Sequence, residues 1–95
     1  MEVYFKANCH KISYDGNLVI AVPLRGREIN IFSFKKWTKT INHKVIQTIK
    51  IQSEIAQIAL SEDNSTIACS TEDGKIIIWR FFEEEKKYIF QFSIV

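Results

Sequence analysis

Short runs of β-branched and aromatic residues alternate with turns rich in Asp, Asn and Gly along the whole chain, a rhythm that predicts strands joined by hairpins. In the second half the expected strands are Ile55–Leu60, Thr66–Ser70, Lys75–Arg80 and Lys87–Phe92. In the first half they fall near Cys9–Ser13, Leu18–Val22, Glu28–Phe34 and Val45–Lys50. Asp73-Gly74 is the strongest hairpin signal, because this pair reaches positive φ at low cost. Pro23 has no N–H to donate and is expected to end its strand. Ile76-Ile77-Ile78-Trp79 does not alternate with polar positions, so burial on both faces is expected, as for a strand inside a stack of sheets. Tyr88, Phe90 and Phe92 alternate and are expected to share one face. Lys35–Lys44 is polar and lysine-rich and reads as a protruding loop, and Glu83-Glu84-Glu85-Lys86-Lys87 reads as a solvated hairpin tip.

The two halves repeat each other at a period of 47 to 48 residues, which marks a repeat architecture. Ile58-Ala59-Leu60-Ser61-Glu62-Asp63, Thr66-Ile67-Ala68-Cys69-Ser70 and Ile76-Ile77-Ile78-Trp79 are echoed by Ile12-Ser13-Tyr14-Asp15-Gly16, Leu18-Val19-Ile20-Ala21-Val22 and Ile29-Asn30-Ile31-Phe32. Ser13 matches Ser61, Asp15 matches Asp63, Gly26 matches Gly74, and Phe32 matches Trp79 after one residue of slippage. The expected fold class is all-β: one domain over 1–95, made of two four-stranded antiparallel units at about 1–50 and 51–95.

Over Ile55–Arg80 the second unit resembles a WD repeat of the β-propeller family, and the first unit resembles one more loosely over Ala7–Ser33. Ser61 and Asp63, Asp73 and Gly74, and Ile76, Ile78 and Trp79 sit where that family's pattern places them. The resemblance implies two propeller blades, an incomplete propeller, and a framework role for Ser61, Asp63, Asp73, Gly74 and Trp79. Three positions depart from the pattern. Arg80 stands where an aspartate would follow Trp79, Ile51-Gln52 stands in place of Gly-His, and Cys69 takes a position often held by serine. The family's buried His-Ser-Asp-Trp network is therefore incomplete in both units, with Asp73 left to brace its turn by accepting from backbone N–H groups.

Two blades leave two apolar faces in water, and repeat arrays generally need three or more units. The chain is then expected to belong to a longer propeller, to complete a partner's, or to assemble with copies of itself into a ring.

Charge sharpens this only slightly. Residues 1–50 carry nine Lys/Arg against three Asp/Glu, and residues 51–95 carry four against eight, a split that suits a head-to-tail contact between copies. Arg25, Arg27, Lys35, Lys36, Trp37 and Lys39 form the candidate partner-binding set, with the two arginines expected to extend the same electropositive edge. Lysines attract phosphate and an exposed tryptophan stacks on a base or fills a pocket. A Lys-rich tip with Trp37 folded back onto its blade would have the same sequence. The sequence shows no motif of catalysis or of a phosphate loop. Cys9 and Cys69 lie far apart and outside any zinc spacing, so no metal or cofactor is expected, and reduced thiols point to an intracellular, cytoplasmic or nuclear, protein. No signal peptide or membrane span is expected.

The function implied is a non-enzymatic protein-protein interaction scaffold within a larger assembly. Two other readings stay open: a homo-oligomeric propeller binding small ligands such as sugars between blades, and nucleic-acid binding through Lys35–Lys44.

Overall fold

Turn chemistry dictates a meander, each strand folding back on the one before it. The computed structural model describes residues 7–23, 26–35 and 40–94, in which eight strands occur and no helix. β1 (Ala7–Ile12), β2 (Leu18–Pro23), β3 (Glu28–Lys35) and β4 (Thr40–Lys50) form one four-stranded antiparallel sheet, blade 1. β5 (Ile55–Leu60), β6 (Thr66–Thr71), β7 (Ile76–Phe82) and β8 (Lys87–Ile94) form blade 2, again in sequence order. Pro23 closes β2 opposite Ala7, where its missing N–H interrupts no longer ladder.

The repeat extends to its irregularities. Register shifts between Ala7 and Cys9 in blade 1 and between Ile55 and Gln57 in blade 2, and again between Ile31 and Phe32 and between Ile78 and Trp79. Phe32 pairs with Val19 as Trp79 pairs with Ile67, so the two residues hold the same place in their blades.

The second shift corrects one expectation. Tyr88 and Phe90 lie opposite Phe81 and Trp79, but Phe92 lies opposite Ile78, whose side chain points the other way. The extra residue of the bulge re-aims the strand beyond it. Tyr88 and Phe90 therefore face blade 1, and Phe92 faces outward. The expected loop at Lys35–Lys44 is also shorter than its composition suggested. Lys35 pairs with Thr40 and Phe34 with Ile41, so half of the segment continues the β3–β4 hairpin.

Alternation decides which face is buried. In β6, Ile67, Cys69 and Thr71 are buried while Thr66, Ala68 and Ser70 are half-exposed. Ile67 and Cys69 meet Ile20, Val22, Ile29, Ile31 and Ile49 of blade 1 in one cluster that also takes Ile55, Ile58, Trp79 and Tyr88. The Ile76–Trp79 run meets its expectation on one face only. Trp79 is 4% exposed and Ile77 packs on the cluster, whereas Ile76 is 45% exposed, because the chain supplies a blade on just one side of blade 2.

Polar groups join the blades as well. Gln47 of β4 donates from Nε2 to the carbonyl of Tyr88 at 2.8 Å and accepts at Oε1 from the Tyr88 N–H at 2.7 Å. Tyr88 lies on the outermost strand of blade 2, so one primary amide satisfies a donor and an acceptor that an edge strand would leave open. Near the linker, the Ile55 N–H donates to the Gly26 carbonyl at 3.1 Å and the Ile51 N–H to the Arg27 carbonyl at 2.8 Å. Gly26 is required for space: a Cβ there would stand 2.6 Å from the Pro23 carbonyl oxygen.

Gln47→Ala is expected to destabilise the protein by about 1–3 kcal/mol, because both Tyr88 backbone groups lose their partner. In thermal unfolding this is a fall of roughly 4–8 °C for each kcal/mol. Lys50→Ala, on the same strand but exposed, is expected to stay within about 0.5 kcal/mol.

Candidate functional site

Both Ser-x-Asp turns build the same hydrogen-bonded knot. Ser13 Oγ donates to Asp15 Oδ1 at 2.6 Å and receives the Asn17 and Leu18 N–H groups at 3.0 and 2.9 Å. Ser61 Oγ donates to Asp63 Oδ1 at 2.7 Å and receives the Thr66 N–H at 3.0 Å. Gly16 (φ 76) and Asn64 (φ 64) hold the matching left-handed position, one that Gly and Asn tolerate.

The difference at that position joins the turns. Asn64 Nδ2 donates to Asp15 Oδ2 at 3.0 Å, and the Tyr88 hydroxyl donates to the Asn64 carbonyl. Asn64 Oδ1 is buried with no hydrogen-bond partner. Beside it runs a groove of about 610 Å³ between the blades, lined by Leu18 and Ile46 on one side and Asn64, Phe81, Lys86 and Tyr88 on the other. Phe81 and Tyr88 meet edge to face with centroids 5.2 Å apart.

At the opposite end, Asp73 is held by partners the sequence did not indicate. Its carboxylate accepts from the Thr71 hydroxyl and, at 2.8 Å, from the hydroxyl of Ser53 in the segment between the blades, with Lys75 Nζ 3.7 Å away. Hydroxyls take the place that backbone N–H groups were expected to fill, since Ser53 lies within reach. Gly74 (φ 89) provides the turn. A second groove of about 320 Å³ lies here, lined by Lys50, Gln52, Ser53, Lys75, Trp79 and Phe90.

These bonds set the electrostatics. The Ser65 hydroxyl, then the Ser61 hydroxyl and the Ser65 N–H, hold the Asp63 carboxyl down at about 2. Asp15 is lowered chiefly by the Ser13 hydroxyl and then the Asn17 N–H, and Asp73 chiefly by the Thr71 hydroxyl and then Ser53. Burial, with the charges of Asp15 and Asp63, raises the Tyr88 phenol. Each hydrogen bond stabilises the charged carboxylate over its neutral form.

Of the candidate partner-binding residues, Arg25, Lys36, Trp37 and Lys39 lie outside the described residues. Arg27 is exposed and immediately precedes β3, whereas Lys35 is the last residue of that strand. At about 3.3 Å per residue the two sit roughly 25 Å apart, at opposite ends of the blade, so they do not extend one electropositive edge. Cys69 is buried and is not in a disulfide. Among the described residues no three His, Cys, Asp or Glu side chains gather as metal ligands would.

Gln47, Ser53, Asn64 and the outward face of blade 2 were not singled out from sequence. The signal for the last was present in the repeat. Ile76 and Ile78 match Ile29 and Ile31, and through the strand pairs Ile76–Ile94 and Ile29–Ile49 the match extends to Ile94 and Ile49.

Comparison with solved structures supports this architecture. A functionally unknown protein from Desulfotomaculum acetoxidans superposes with a TM-score of 0.70 at 21% identity, over 88% of this chain and 25% of its own. A provisionally assigned 6-phosphogluconolactonase from Bacteroides uniformis gives 0.70 at 19% identity over the same shares. A protein from Lactobacillus plantarum gives 0.76 at 16% identity, over 99% of this chain and 29% of its own. The likeness is one of fold, and the chain spans only about a quarter of the length of these proteins. No family model and no curated protein matches the sequence.

Because the Asp63 pKa is depressed in the folded state, its contribution to stability is complete above 3.8 and is lost as pH falls towards about 2. Acid titration of unfolding is expected to show this loss, with a smaller slope in Asp63→Asn. Tyr88 acts at the other extreme. Its raised pKa favours the folded state below pH 10 and withdraws that support as pH rises further, a limb that Tyr88→Phe removes.

Proposed function

We propose that this chain is a non-enzymatic protein-protein interaction scaffold of the WD-repeat type, a blade pair acting within a larger assembly through the outward face of blade 2. One observation carries the reading. Ile29, Ile31 and Ile49 of blade 1 are 0%, 0% and 8% exposed because blade 2 covers them, while their counterparts Ile76 and Ile94 are 45% and 54% exposed, with Ile78 between them. A face with the composition of a buried one, left open to solvent, supports a docking role. The paired Ser-x-Asp turns, the Asp73-Gly74 hairpin and the buried Trp79 support the WD-type assignment, and the similarity to proteins several times longer supports a place among further blades.

A second reading has its own observation. The grooves of about 610 and 320 Å³ between the blades fall near or within the size range of small-ligand sites, and both combine aromatic walls with hydrogen-bonding groups. That reading takes ligand binding between blades as the function. An enzymatic reading enters through the lactonase-like neighbour and is carried by fold alone.

Photo-crosslinking separates them. With p-benzoylphenylalanine in place of Phe92 the chain is expected to form protein adducts. The same residue in place of Tyr14, 84% exposed on the far turn of blade 1, is expected to form none above background. Equal labelling at the two sites would sink the scaffold reading, and so would hydrolysis of 6-phosphogluconolactone by the purified chain above the buffer rate.

A further inference from the structure

We propose that Gln47, seconded by Gln91, guards the open edge of β8: the two side-chain amides occupy main-chain groups through which Tyr88–Ile94 would otherwise pair with the same segment of other copies. This concerns the edge of the blade 2 sheet and not its outward face, and it holds whatever that face meets.

Sequence makes this edge a hazard. Tyr88-Ile89-Phe90-Gln91-Phe92-Ser93-Ile94 has five aromatic or β-branched residues among seven and no charge, Pro or Gly, the composition from which identical strands stack into cross-β assemblies. β8 is the last strand of its sheet, and among the described residues no strand pairs with its far side. Within β8 only Tyr88 is buried, so packing does little to hold the strand against a new pairing.

Register shows which groups are open. Phe81 gives its N–H to the Ser65 carbonyl on the β6 side at 2.7 Å, so Phe81, Trp79 and Ile77 turn their main-chain groups away from β8. Their partners across the ladder are Tyr88, Phe90 and Ser93, and these three therefore direct N–H and C=O to the open edge. At Tyr88 the Gln47 amide takes both groups, at 2.7 and 2.8 Å, in the donor-and-acceptor pattern that an added strand would use. At Phe90 the carbonyl accepts from Gln91 Nε2 at 3.2 Å, which also reaches the Ile89 carbonyl at 3.1 Å. Gln91 is the residue that the bulge inserts, and a bulge bends an edge away from flat pairing. Strand addition needs successive edge groups, and the two glutamines interrupt them at Tyr88 and Phe90. Gln47 is the stronger guard, because it engages both groups of one residue and is half-buried on β4 of the other blade, whereas Gln91 is exposed on the strand it protects.

The 95-residue chain is incubated with thioflavin T and followed by light scattering. Gln47→Ala is expected to assemble several times faster than the unsubstituted chain, with new hydrogen-exchange protection over Tyr88–Ile94. Gln91→Ala, exposed and outside the contact between the blades, accelerates assembly by a smaller factor. Because Gln47→Ala also lowers stability, Val22→Ala, buried in blade 1, is measured beside it, each protein at the temperature that gives the same folded fraction; under that condition Val22→Ala keeps the rate of the unsubstituted chain. Adding Ser93→Pro to Gln47→Ala removes an edge-facing N–H that the β7 ladder does not use and restores the slow rate, a rescue that general destabilisation would oppose. Equal rates for Gln47→Ala and Val22→Ala at equal folded fraction overturn the inference. So do assemblies protected elsewhere than β8, or a double variant that assembles as fast as Gln47→Ala alone.

Discussion

Contact between Ile20, Ile29 and Ile31 of blade 1 and Ile55, Ile58 and Ile67 of blade 2 is the interaction on which the remainder of this structure depends, because a single sheet has two faces and no interior. Neither four-stranded unit holds a core of its own. The hairpins and turns described above bring the aliphatic positions of six of the eight strands to that one contact, β2 to β7. Burying each of these side chains is worth about 1.5–3 kcal/mol, against a net stability for a typical domain of only about 5–15 kcal/mol, so the loss of very few of them would separate the blades. The cross-blade amide of Gln47 and the Asn64–Asp15 bond add direction to this burial. Apolar surfaces slide at little cost. Hydrogen bonds with one partner each do not, and they fix how the blades sit.

The paired turns show how one repeat comes to serve two ends. Gly26 and Gly74 occupy matching places in the β2–β3 and β6–β7 hairpins but are needed for different reasons. Gly26 leaves room beside the Pro23 carbonyl, whereas a Cβ at Gly74 would meet nothing within 4 Å and the requirement is its positive φ. Gly16 and Asn64 differ in the same instructive way. Each satisfies the left-handed position of its turn, and only Asn64 has a side chain that reaches Asp15 on the neighbouring blade. Divergence between the copies has been taken up by contacts between them.

Most of the fold was legible in the sequence, since alternation and turn residues are local signals and the strands follow them. All eight expected strands form, and the match of Phe32 to Trp79 through one residue of slippage is reproduced by the pairing. What escaped was non-local or out of phase. A bulge at Ile78/Trp79 moves Phe92 to the opposite face from Phe90, and nothing in a strictly alternating Tyr-x-Phe-x-Phe run announces it. Lysine-rich composition disguised the start of β4, because polar residues are as compatible with an exposed strand as with a loop. Ser53 was invisible as a partner of Asp73 because the two lie 20 residues apart and are joined only once the blades are packed. Arg27 and Lys35 were grouped by nearness in sequence, which a fully extended strand between them converts into distance in space.

The two blades differ in how much burial holds them. Blade 2 braces its β6–β7 hairpin with hydroxyl-to-carboxylate bonds to Asp73, from buried Thr71 and from Ser53 on the exposed side. Exposed polar contacts of this kind contribute little, because water competes for the same groups. The rigidity of blade 2 therefore has to come from burial, and burial is uneven. β2 is buried at its four central positions, but β8 is buried only at Tyr88. The outer strands of blade 2 are thus the part of the molecule with least to lose on opening, and they form the face that lacks a cover. Each Å² of apolar surface covered there adds about 25 cal/mol to the stability of strands that have little other support. A cover on that face would therefore stabilise the strands beneath it as it bound.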